Sequence, residues 1–161
     1  MYVFKNPNPS GSYVGDCVIR AISIATNKSW YETFVELCLQ GLLMYDMPSS
    51  NRVWNEYLKT EGYKRKIVQS DCAGCYTIKD FCAEHFRGTY ILGTGSHVVT
   101  VIDGNYFDTW DSGDESPIYY WTRYIIGQRR VNKNGLSATV FSTAIFSATT
   151  TATECVYRTG I

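Results

Sequence analysis

The chain has 161 residues, with 45% hydrophobic and 19% charged side chains and a formal net charge of zero. That composition suits one folded domain and excludes wholesale disorder. Fifteen Lys and Arg against fifteen Asp and Glu leave no basic excess for a phosphate backbone, so a nucleic-acid partner is not expected. No run of eighteen apolar residues exists, so no membrane partner is expected, and Met1 to Pro7 shows no secretory signal, which makes the cytoplasm the expected compartment.

In chain order, Asn6 to Ser12 is a turn-rich lead-in with two prolines. From Cys17 an almost wholly apolar run predicts a buried helix ending near Asn27, with Asp16 as its N-cap. Ser29 to Glu32 has the pattern of a capping box, and Phe34, Leu37, Cys38 and Leu42 follow at helical spacing to about Met44. A third helix is expected from Ser50 to Glu61, with Val53, Trp54, Tyr57 and Leu58 on its stripe and Gly62 as its stop. Thr77 opens a short fourth helix that Gly88 closes. The period then changes. Segments 89–92, 97–102, 106–110 and 118–124 are short and β-branched or aromatic, which predicts an antiparallel sheet following a helical lobe, an α+β domain. The boundary is placed at residue 126, and residues 127–161, rich in Ser, Thr and Ala, form an extension that is either further strands or a loose tail.

Six cysteines in a domain this size, without an export signal, read as mostly free thiols. Cys17 stands at the first turn of a helix, where unpaired N–H groups and the macrodipole favour a thiolate. A nucleophilic thiolate needs an imidazole, and His97 starts a strand straight after the flexible Gly93–Ser96 segment. A two-residue Asp103-Gly104 turn would place Val99 opposite Asp108, one diagonal step from His97, whereas an odd loop would offer Asp111 instead. A carboxylate there would hold the imidazole tautomer. A second cluster, Cys72, Cys75, Cys82 and His85, has C-x-x-C and C-x-x-H spacings that could close a zinc site. The favoured alternative packs Cys82 beside Phe81 and lets His85 cap the helix, so no metal or other cofactor is expected.

Gly15-Asp-Cys-Val-Ile-Arg-Ala21, Ser96-His-Val-Val-Thr-Val-Ile-Asp-Gly104 and Asp108-Thr-Trp110 resemble, in that order, the nucleophile helix, histidine strand and Asn/Asp-Ser-Trp strand of papain-like cysteine peptidases. The small size is closest to the compact bacterial and phage-encoded members, such as those that trim bacteriocin leaders. The resemblance covers residues 1 to about 125. It implies a helical lobe followed by a sheet lobe, with Cys17 as nucleophile, His97 as general base and acid, Asp108 as orienting residue and Trp110 as a cover over their hydrogen bond. It implies a peptide or protein substrate cleaved at a peptide or isopeptide amide, with amidase and acyl-transferase chemistry open to the same triad. The family's oxyanion Gln has no counterpart, because its position is Gly11; Asn8 or Asn6 would have to substitute. The alternative is an inactive module of the same fold, with or without structural zinc.

Overall fold

The computed structural model describes residues 1–12, 14–69 and 75–123. Its elements in chain order are β1 (Tyr2–Phe4), α1 (Cys17–Thr26), α2 (Trp30–Met44), α3 (Asn51–Thr60), β2 (Lys64–Ile67), α4 (Ile78–Glu84), β3 (Thr89–Gly93), β4 (Val98–Ile102), β5 (Asn105–Asp108) and β6 (Tyr119–Thr122). The domain is thus α+β, with four helices and one six-stranded sheet among the described residues.

The sheet has the order β1-β5-β4-β3-β6-β2. It is mixed, not purely antiparallel as expected, because β1 runs parallel to β5, with Phe4 beside Asp108. Nor is the first half wholly helical, since β1 and β2 both come from it. Both strands lie at sheet edges, and β2 is Lys-Arg-Lys-Ile, exposed throughout. A charged edge strand resists further pairing and has no apolar alternation for a sequence pattern to reveal.

The central strand β4 is apolar along its length because it is covered on both sides. Val98 and Thr100 face α1, where the Thr100 hydroxyl donates to the Ala21 carbonyl at 2.5 Å, and Val99 and Val101 face α4. The first core joins Ile22, Leu37, Trp54, Leu58, Ile91 and Trp121; the second joins Ile78, Phe81, Leu92, Val99 and Tyr106. Each fully buried aliphatic or aromatic side chain contributes about 1.5–3 kcal/mol of transfer free energy.

Helix ends follow local chemistry with two departures. Ser29 and Glu32 form a reciprocal capping box, as do Thr77 and Asp80, and Asn27 and Tyr45 close α1 and α2 in left-handed conformation. Asp16 holds the N-cap position of α1 but makes no side-chain cap bond, because its carboxylate is committed elsewhere. Helix α4 stops at Glu84 with His85 as C-cap, before Gly88 is reached. On α2 the inward residues are Thr33, Leu37 and Gly41, so Phe34 and Leu42 from the expected stripe point outward. A β-carbon at Gly41 would lie 2.6 Å from the Asp46 carbonyl oxygen, which explains why the tight α2–α3 connection needs glycine there.

Candidate active site

Cys17 is the first residue of α1 and is partly exposed. The loop before it is fixed by a buried polar group. Asp16, 4% exposed, forms an ion pair with Arg20 one helical turn on, and its other oxygen accepts from Asn8 Nδ2 at 3.0 Å and Trp30 Nε1 at 2.9 Å. A buried carboxylate with three donors is satisfied, and it ties the lead-in, α1 and α2 together around Cys17.

His97 ends the short loop between β3 and β4. The Thr94 N–H donates to the His97 carbonyl at 2.9 Å, and the His97 N–H donates to the Thr94 hydroxyl at 3.1 Å. The hairpin that follows has a two-residue turn, with Asp103 and Gly104 both at positive φ (47° and 74°) and Ile102 opposite Asn105. That is the primed turn that matches strand twist, and it sets the even register expected from Asp-Gly. Carried one step past Thr100 opposite Phe107, the register brings Asp108 beside Val99.

The consequence is a bond of 2.5 Å between His97 Nε2 and Asp108 Oδ2. Asp108 is 4% exposed and also accepts from the Ser112 hydroxyl at 2.7 Å and the Thr109 N–H at 2.7 Å. With Nε2 so engaged, Nδ1 is the ring nitrogen left for Cys17, which lines the same cleft. Trp110 lies over the imidazole, centroids 5.4 Å apart at 44°. Asp111, the alternative third member, is exposed and accepts instead from the Tyr106 hydroxyl at 2.5 Å and the Gly113 N–H at 3.1 Å.

These contacts set the charges. Burial pushes the Cys17 thiol up, but the His97 hydrogen bond and charge, the Val98 N–H and the Arg20 charge outweigh it and leave the thiol below its ordinary 9.0. Burial likewise opposes an imidazolium at His97, yet its bonds to Asp108 and Cys17 raise it from 6.5 to about 9. The His97 contribution to folding stability is therefore complete below 6.5 and lost as pH rises through about 9, whereas that of Cys17 is complete above 9.0 and lost as pH falls through its depressed value. The thiolate–imidazolium pair occupies the interval between the depressed thiol value and about 9.

A cleft of about 260 Å³ opens on the thiol and the imidazole, lined also by Gly15, Asn51, Gly95 and Tyr119. Asn8 and Asn6 are not among its lining residues. Asn8 Nδ2 is committed to Asp16, and the Asn6 side-chain oxygen accepts from the Asn8 N–H at 3.1 Å. The amide that does line the cleft is Asn51, at the start of α3. Trp54 Nε1 donates to its Oδ1 at 3.0 Å, and because an indole N–H can only donate, the amide is oriented with Nδ2 as its outer end. Sequence reasoning overlooked Asn51, for which the only local signal was its place after Ser50, the N-cap position of α3, whose hydroxyl donates to Asp46. A larger cavity, about 630 Å³, lies between β2 and α4, lined by Lys66, Tyr76, Glu84, His85 and Tyr120, and contains none of the three triad residues. Volume is a weaker guide here than a cleft that holds a cysteine beside an aspartate-bound histidine.

Among the described residues, Cys75, Cys82 and His85 do not come together as metal ligands. Cys75 is disulfide-bonded, contrary to the expectation of a free thiol there, and Cys72 lies outside the described residues. Cys82 is buried in the second core, where burial pushes its thiol up, and His85 stacks on Phe81 at 3.9 Å with Nδ1 against the Phe81 carbonyl at 3.1 Å. Among the described residues no three His, Cys, Asp or Glu side chains converge to hold a metal, and no helix is long and apolar enough to cross a membrane. The 127–161 extension lies outside the described residues. No family model matches the chain, and neither a curated protein nor a solved structure matches it.

Proposed function

We propose that the protein is a papain-like thiol hydrolase that cleaves a peptide or isopeptide amide through Cys17, His97 and Asp108. The observation that carries this reading is that one imidazole, hydrogen-bonded to a buried aspartate, shares a cleft with a helix-N-terminal cysteine. The Cys17 thiolate adds to the substrate carbonyl carbon, and the resulting oxyanion takes hydrogen bonds from the Cys17 N–H and from Asn51 Nδ2 across the cleft. Collapse breaks the C–N bond while the His97 imidazolium gives its proton to the leaving amine. Water then adds to the thioester, His97 takes its proton, and the Cys17 thiolate leaves, releasing the acid. Asp108 keeps Nε2 as donor, so that Nδ1 faces the sulfur, and Trp110 shields that bond from water.

A second reading, an inactive module of the same fold, draws support from Gly11 at the family's Gln position and from the commitment of Asn8 to Asp16. Iodoacetamide labelling across pH, located by peptide mass spectrometry, separates the two. In an active enzyme Cys17 alkylates at neutral pH at least about 10-fold faster than Cys38, and His97→Ala removes most of the advantage, because only the Val98 N–H and the Arg20 charge then oppose burial of the thiol. Equal labelling of Cys17 and Cys38, or labelling indifferent to His97→Ala, leaves the inactive reading.

A further inference from the structure

Helix α2 is apolar on two faces. Thr33, Leu37 and Gly41 point into the core, while Tyr31, Phe34, Val35, Leu39 and Leu42 project outward at exposures of 63, 39, 53, 55 and 70%. At 100° per residue, Tyr31, Phe34, Val35, Cys38 and Leu42 make a second stripe, offset from the buried one and continued at the helix end by Tyr45, 96% exposed. Polar residues occupy only the narrow remaining sector, with Glu32, Glu36 and Gln40. A surface helix of a monomer ordinarily shows one apolar stripe, and this helix shows two.

We infer that this stripe is the contact surface for a second copy of the chain, with two α2 helices packed antiparallel about a twofold axis at Cys38. Two pairs of the stripe are alike in kind about that residue, while Val35 falls opposite the inward-pointing Gly41. An antiparallel pairing centred there sets Tyr31 against Tyr45 and Phe34 against Leu42, each twice, which is the self-complementarity a twofold contact requires. The bare surface of the stripe is roughly 600 Å² per copy, at the top of what a monomer ordinarily leaves exposed and three quarters of the half-share of a standard stable interface, an upper limit on what the pairing can cover.

Charge does not oppose the pairing. Glu32 is held by Ser29 in its capping box, and Glu36 is held by Lys28 and the Tyr57 hydroxyl, so the rim acids are already partnered. The same rim argues against a lipid surface, which favours Lys and Arg beside the apolar face. Lys28 is bound between Glu36 and Glu61, and Arg52, which donates to the Met44 carbonyl, is paired with Asp46. This inference is independent of the proposed chemistry, because no residue of the stripe lines the cleft.

The test is sedimentation equilibrium of the full chain, repeated on Leu42→Glu and Tyr45→Glu with circular dichroism to verify folding. Both positions are largely exposed, so the fold has no need of them. A concentration-dependent dimer whose Kd rises at least about 30-fold in both variants is the expected result. In Cys17→Ala protein, a short bis-maleimide should join two copies through Cys38, identified as a Cys38–Cys38 peptide pair. A monomer at every concentration overturns the inference, whether or not Cys38 is protected from maleimide by the chain's own residues or the protein binds anionic vesicles. A dimer indifferent to both variants, or cross-linked at other cysteines, overturns it as well.

Discussion

Cys17 and Cys82 occupy comparable places, each in a helix packed on the same sheet with a histidine near by, yet their thiols shift in opposite directions. On the α4 face, burial dominates Cys82, and His85 lies flat on Phe81 with Nδ1 turned to a backbone carbonyl. On the α1 face, burial is outweighed at Cys17 by hydrogen bonds and charge. The difference lies less in the cysteines than in their histidines. His97 has a buried carboxylate behind it, whereas the His85 ring nitrogen meets a backbone carbonyl, and that carboxylate is what raises the His97 imidazole.

Three substitutions break or sharpen the contrast. The largest effect is expected for Asp108→Asn, which removes the charge that raises His97 and leaves its tautomer unsettled. Hydrolysis of a p-nitrophenyl ester should fall roughly 10³-fold or more. The His97 titration followed by NMR should move down from about 9. An unchanged rate would make His97 no better placed than His85. Next, Asn51→Ala removes the proposed oxyanion donor without touching the thiolate, so ester hydrolysis should drop roughly 10²-fold while iodoacetamide labelling of Cys17 stays at the wild-type rate. If labelling falls in parallel, Asn51 acts through the fold instead. The smallest effect belongs to Cys82→Ala, which should lower unfolding stability by about 1 kcal/mol in urea and leave both Cys17 labelling and ester hydrolysis unchanged. A catalytic loss there would contradict the assignment of Cys82 to the core.

Much of this frame can be read in residues whose meaning is local. Capping at Ser29 and Thr77, the apolar period of α3 and the Asp103-Gly104 turn act through neighbours in sequence, so the helices and the β4–β5 register are predictable, and with the register the pairing of His97 and Asp108. What escapes is set by distant partners. The Asp16 carboxylate looks like a cap until Asn8, Arg20 and Trp30 converge on it. Strand β1 is three residues long and becomes a strand only because β5 offers it an edge. Asn51 reaches the cleft beside the thiol only because α3 packs on α2, which packs on α1, and no spacing in the chain encodes that. The outward stripe of α2 has the same helical period as its buried face, so periodicity alone assigns the wrong residues to the core.

The parallel pairing of β1 with β5 bears on how the site is assembled in time. The Lys5 N–H donates to the Asp108 carbonyl at 2.8 Å, and the Met1 ammonium donates to the Gly104 carbonyl 103 residues away. A β4–β5 hairpin can close in microseconds, but the strand that braces Asp108 must be recovered from the far end of the sequence, across a long loop whose closure is slow. During refolding from urea, selective Cys17 alkylation should therefore develop with this long-range docking and lag behind the far-ultraviolet signal of the helices, so that the thiol serves as a clock for the last contacts to form.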